Sequence, residues 1–122
     1  MTTEIYREFN FEAAHRLPNV PEGHKCSRLH GHSYRFEVHV TGPIDEKFGW
    51  VVDFGDIKAA VNPIVALLDH YYLNEVEGLG NPTSELLAEW LWIRIEPELP
   101  LLSKIVVRET CTSACTYTAL PR

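Results

Sequence analysis

The sequence predicts an α+β fold, a four-stranded antiparallel sheet with two helices on one face. Three observations predict it. Two stretches near the start alternate apolar and polar residues with the period of two that half-buried strands show. Two stretches in the middle carry apolar residues at helical spacing, and the alternation returns near the end. The predicted order is therefore strand, strand, helix, helix, strand, strand, within one domain spanning residues 1–122.

Residues 4–15, "EIYREFNFEAAH", form the first expected strand. Ile5, Phe9, Phe11, Ala13 and His15 share a face that only Arg7 interrupts, and Glu4, Glu8, Asn10 and Glu12 take the other. Residues 16–31 hold two prolines and two glycines and read as a long loop. The second strand is expected from about 32 to 41, with His32, Tyr34, Phe36, Val38 and Val40 opposite Ser33, Arg35, Glu37, His39 and Thr41. "TGPIDEKFG" reads as a turn, and "WVVDF" as a short strand or the entry to a helix.

Ile57, Val61, Ile64 and Leu68 place a helix over 55–68, which Pro63 should kink or split. "NPTSELLAEWLWIRIEPELP" is the second helix. Asn81 or Thr83 caps it, Pro82 suits its start, and Pro97 and Pro100 end it. Trp90 and Trp92 read as core or subunit-contact residues on that helix. "LSKIVVRET" alternates again, "CTSA" turns, and "CTYTAL" (115–120) is the last expected strand.

A net charge of −6 argues against general affinity for nucleic acid phosphates or anionic membranes, though a local basic patch could hold a small anion. "MTTEIYREFNF" has no basic region followed by an apolar core, so no secretory signal is expected, and no apolar run approaches the roughly 20 residues of a spanning helix. With that start, three cysteines point to reduced thiols in the cytoplasm rather than a disulfide scaffold.

The chemistry concentrates in "HKCSRLHGHSY", residues 24–34, which holds His24, Cys26, His30 and His32. A lone histidine on an apolar face is most often a hydrogen-bonded core residue. Three that end or start adjacent strands are a different case: His15 meets His30 and His32 across strands roughly 4.8 Å apart. Three imidazoles leave a coordination position open, as catalytic zinc sites do. Cys26 would close that shell as a fourth ligand, or stand beside it as a reactive thiolate helped by Lys25 and Arg28, or be a small buried thiol; its spacing leaves the first two open. Asp69 beside His70 could fix the tautomer of a proton shuttle, although sequence neighbours often point apart. Glu109 shares the register of Ile105 and Val107, an acid on the apolar side that needs donors from a polar ligand or an arginine. Cys111 and Cys115 read as small residues flanking a turn.

Taken together, "FEAAHRLP", "CSRLHGHSY", "LDHYYLN", "NPTSE" and "RETCTSAC" resemble the 6-pyruvoyl-tetrahydropterin synthase family, over essentially the whole chain and in order. The C-x-x-x-H-G-H spacing is similar to its bacterial 6-carboxytetrahydropterin branch, which serves queuosine synthesis. The resemblance implies the T-fold, whose sheets join into a barrel in a homo-oligomer, expected to be a hexamer, with active sites between subunits. It implies zinc on His15, His30 and His32, catalysis by a free Cys26 with Asp69 and His70, and a pterin anchored by Glu109. The substrate it implies is 7,8-dihydroneopterin triphosphate. Arg16, Lys25 and Arg28 are the candidates to hold the triphosphate.

Overall fold

The computed structural model describes residues 1–119. Its strands are β1 (Thr3–His15), β2 (His30–Gly42), β3 (Leu102–Arg108) and β4 (Cys115–Tyr117), and its helices are α1 (Phe54–Val65) and α2 (Ser84–Ile95). The sheet runs β1-β2-β3-β4 with every neighbour antiparallel, the expected order.

Alternation decides which side chains turn inward. Phe9 lies opposite Phe36 and Phe11 opposite Tyr34, and each pair stacks, with ring centroids 5.4 and 4.9 Å apart. Ala13, Val38, Val40, Ile105 and Val107 continue the buried face. Ile57, Val61 and Ile64 bring α1 onto β1, while Leu87, Leu91 and Ile95 bring α2 onto β3 and β4, all in one apolar cluster. Trp90 and Trp92 are core residues. Their indole N–H groups donate to Glu77 O at 2.9 Å and Glu96 Oε2 at 2.8 Å, which makes their burial tolerable.

Several boundaries differ from the expectation. β2 starts at His30, two residues early, because β1 runs to His15 and the ladder continues with it. α1 starts at Phe54, with Asp53 accepting from the Gly55 N–H at 2.8 Å, so "WVVDF" is a helix entry. Pro63 does not split α1. It sits in the last turn, its missing N–H orphans only Ala59, an exposed residue, and the helix stops at Val65 instead of residue 68. Thr83, not Asn81, caps α2, accepting from Leu86 N at 3.1 Å. β4 covers only 115–117, with 118 and 119 outside it and Leu120 beyond the described residues. Glu109 lies just past the end of β3, in a bend.

The opposite sheet face is polar but not uniformly exposed. His39 is buried there, its ring stacked on Tyr6 with centroids 4.6 Å apart. Its Nδ1 is 2.9 Å from Glu4 Oε1 and its Nε2 2.8 Å from Glu37 Oε1. Lys104 pairs with Glu4 and Arg108 with Glu37, both at 3.2 Å, so acidic and basic side chains alternate across three strands. The His39 contact, then that of Lys104, holds the Glu4 carboxyl below its usual range. Burial pushes Glu37 up, but its bonds to His39 and Arg108 outweigh this and hold it low as well.

Two outcomes follow from this packing. Phe36→Ala should lower the free energy of unfolding by about 3–5 kcal/mol in urea titration, since Phe36 is fully enclosed. Glu4 and Glu37 have folded-state pKa values below the usual 4.5, so their stabilisation is present above that value and lost as pH falls through the folded values. Thermal melts from pH 6 to 3, a range set by that linkage at roughly carboxylate pH, should therefore fall less steeply in a Glu4→Gln, Glu37→Gln double variant than in the wild type.

Candidate active site

The register that builds the core also builds the site. His15 pairs directly with His30, and Ala13 with His32, so three imidazoles meet where β1 ends and β2 begins. Their ring centroids lie 4.6 to 5.0 Å apart, and one nitrogen from each falls within 4.8 Å of the others. His15 Nδ1 is 2.8 Å from Pro82 O and His30 Nδ1 is 2.7 Å from Arg28 O. A carbonyl only accepts, so both Nδ1 atoms carry a proton, and in the neutral tautomer this leaves Nε2 with the lone pair that ligates.

These residues could hold a metal ion. The Nε2 atoms of His15 and His32 are buried with no hydrogen-bond partner, a cost of about 1–3 kcal/mol each that coordination would remove. Burial holds both rings below the usual histidine pKa, and hence neutral and ready to ligate, against an opposing pull from Glu109. Three imidazoles with one side open to a cavity suit a divalent ion of borderline softness. Beneath them Tyr34 is enclosed with its hydroxyl unpartnered; burial, then the Glu109 charge, pushes its pKa far up.

That cavity has a volume of about 450 Å³, and its wall includes Cys26, Lys25, Leu17 and Glu109 together with the three histidines. Cys26 is a free, half-buried thiol on a short 3-10 turn, Lys25–Ser27, and it stands outside the group of three convergent nitrogens. Of the three basic residues singled out from sequence, only Lys25 lines the cavity. Arg16 and Arg28 are exposed beside it; Arg16 uses its backbone, giving its N–H to Asn74 Oδ1 at 2.9 Å and taking the Asn74 amide N–H on its carbonyl at 2.8 Å.

Glu109 also lines an adjoining cavity of about 460 Å³ with Ser84, Glu85, Thr110 and Ser113. Two carboxylates and three hydroxyls make that cavity an acceptor for a donor-rich ring. Sequence reasoning passed over Ser84 and Glu85. An acid in the first turn of a helix already has a reason to be there, complementing the helix dipole, and that reason hid the second.

Asp69 and His70 do point together. His70 has φ of +65°, a left-handed conformation rare outside glycine, which turns its ring back so that Nδ1 lies 3.0 Å from Asp69 Oδ1. The turn is pinned to β1 at Glu12, whose N–H donates to Asp69 Oδ1 at 2.9 Å and whose carbonyl accepts from His70 N at 2.6 Å. The Glu12 N–H holds the Asp69 carboxyl below its usual range, helped by His70 and opposed by desolvation. His70 faces a different cavity, of about 500 Å³, lined also by Glu12, Gly31 and Ser33. Within one chain, therefore, His70 and Cys26 line different cavities, and His32 borders both.

Comparison with known proteins places the chain and its fold. Residues 4–119 match the family model for 6-pyruvoyl tetrahydropterin synthase. A 6-carboxy-5,6,7,8-tetrahydropterin synthase from Synechocystis is 49% identical, over 93% of this chain and 91% of its own. A dihydroneopterin monophosphate aldolase from Pyrococcus furiosus is 42% identical, over 79% and 76% of the two chains. The structure of 6-pyruvoyl tetrahydropterin synthase from Caenorhabditis elegans superposes with a TM-score of 0.91 at 26% identity, covering 98% of this chain and 97% of that one. The fold is thus the T-fold of these enzymes, and the chain belongs to the 6-pyruvoyl tetrahydropterin synthase family.

Proposed function

We propose that the chain converts 7,8-dihydroneopterin triphosphate and water to 6-carboxy-5,6,7,8-tetrahydropterin, releasing acetaldehyde and triphosphate, with zinc as its metal, as a step toward queuosine and other 7-deazaguanines. The observation that carries this reading is a single cavity walled by three imidazoles, a free thiol and a carboxylate. The 49% identity to the Synechocystis 6-carboxy-5,6,7,8-tetrahydropterin synthase supports the carboxy branch, as does the short Cys26 to His30 spacing.

Each residue takes a role its chemistry allows. Glu109, with Glu85 beside it, accepts hydrogen bonds from the amino and ring N–H groups of the pterin, which fixes the ring and directs its side chain toward the histidines. Zinc on His15, His30 and His32 would supply Lewis acidity toward the hydroxyls of that side chain. Cys26 removes a side-chain proton as the thiolate. His70 donates its Nδ1 proton to Asp69, so its Nε2 is the atom that moves protons. On the family pattern the Asp69–His70 relay would reach the Cys26 thiol of a neighbouring subunit in a homo-oligomer, a hexamer; the placement of His70 and Cys26 on different cavities of one chain supports that reading. Lys25 at the cavity wall attracts the triphosphate, with Arg16 and Arg28 as outer contributors. Three free cysteines support a reducing, cytoplasmic setting, and among the described residues no helix is long and apolar enough to cross a membrane.

Incubating the zinc-loaded protein with 7,8-dihydroneopterin triphosphate should yield acetaldehyde together with a carboxypterin mass. A pyruvoyl product without acetaldehyde would instead place the chain with the 6-pyruvoyl synthases, and no product with the metal in place would leave a zinc or pterin binding protein. Cys26→Ala should keep its zinc by elemental analysis and lose turnover by about 10²–10⁴-fold; loss of the metal in that variant would make Cys26 a ligand. His32→Ala should lose both metal and turnover.

A further inference from the structure

We propose that His24 is a positioning residue for Cys26: its imidazole caps the turn that carries the thiol and so sets where the sulfur stands in the cavity. The inference rests on the role given to Cys26 above and goes beyond it. Cys26 lies on one turn of 3-10 helix, too short to hold itself, so its placement depends on what binds its ends. Its N–H donates to His24 Nδ1 at 3.0 Å, and its carbonyl accepts from Leu17 N at 2.8 Å. Both backbone groups of the cysteine are thus claimed, and neither by a metal-ligating residue.

His24 is itself fixed. Its N–H donates to Pro21 O at 3.0 Å, after a turn through Gly23 at φ of +86°, and its carbonyl accepts from Ser27 N at 3.0 Å and Ser27 Oγ at 2.7 Å. A histidine at an N-cap is unusual, since Ser, Thr, Asp and Asn are the common acceptors there. Here the ring replaces such a side chain, and because Nδ1 accepts, the proton of the neutral ring must sit on Nε2. His24 is exposed and does not line the cavity of the three histidines, so it acts through Cys26 and not on the substrate.

The test compares His24→Ala, which removes the cap, with His24→Asn, whose carbonyl can reach the amide two residues on, in the zinc-loaded protein. Two quantities are read: turnover, and the rate of Cys26 alkylation by iodoacetamide, resolved from Cys111 and Cys115 by peptide mass mapping. His24→Ala should lower kcat about tenfold with KM and zinc content unchanged, and shift the Cys26 alkylation rate, and His24→Asn should restore both. Wild-type kcat and alkylation in His24→Ala would overturn the proposal, as would a His24→Asn protein no better than His24→Ala, or loss of zinc in either variant. Alkylation needs no substrate. A wild-type protein that fails to turn over the pterin would sink the lyase reading while leaving the cap testable, and an inert cap would leave the lyase reading standing.

Discussion

The pairing of β1 with β2 is the constraint on which the rest depends. Thirteen consecutive Cα partners, from Thr3 with Gly42 to His15 with His30, leave no freedom of register. Because side chains alternate, slipping one residue would turn Phe9, Phe11, Tyr34 and Phe36 out of the core and at the same stroke disperse the three histidines. The burial that stabilises the sheet and the geometry that assembles the metal ligands are one interaction. The long apolar ladder selects the register, and the histidines at its end inherit it.

The ladder alone does not finish the site. The tautomers of His15 and His30 are set by carbonyls from elsewhere, Pro82 just before α2 and Arg28 in the loop ahead of β2. Outer partners of this kind orient a ligand ring and raise its basicity. α2 serves twice, since its first turn also contributes Ser84 and Glu85 to the cavity that Glu109 shares. Helix, sheet end and loop therefore converge on one end of the molecule, where the strands run out and the backbone is free to bend. On the far face, the chain of charges through His39 links β1, β2 and β3 where no apolar layer does so.

Much of this was legible in the sequence, and the reasons are specific. Period-two alternation located β1 and the buried face of β2, because one side of each strand packs and the other does not. The convergence of His15, His30 and His32 followed from strand spacing alone. Boundaries were less legible. The start of β2 depends on how far its partner extends, and the end of α1 on a proline whose lost hydrogen bond falls on an exposed turn. His39 looked like a surface residue because its burial comes with a stacked Tyr6 and the Glu4 carboxylate from the neighbouring strand, joined by Glu37 two residues before it, and alternation alone does not encode the cross-strand contacts. No local pattern encodes the separation of His70 from Cys26, and only the resemblance, which implies active sites between subunits, bears on it.

His70 carries one more consequence. A side chain with a Cβ in the left-handed region costs roughly 1–2 kcal/mol relative to its ordinary conformation, a cost glycine would avoid. The two hydrogen bonds from Glu12 hold the turn against that preference. Natural selection acting on folding alone would drift toward glycine or asparagine at this position, and each such change would relax the chain while erasing the imidazole. The strain at residue 70 is therefore a trade of robustness for chemistry, written into the backbone itself.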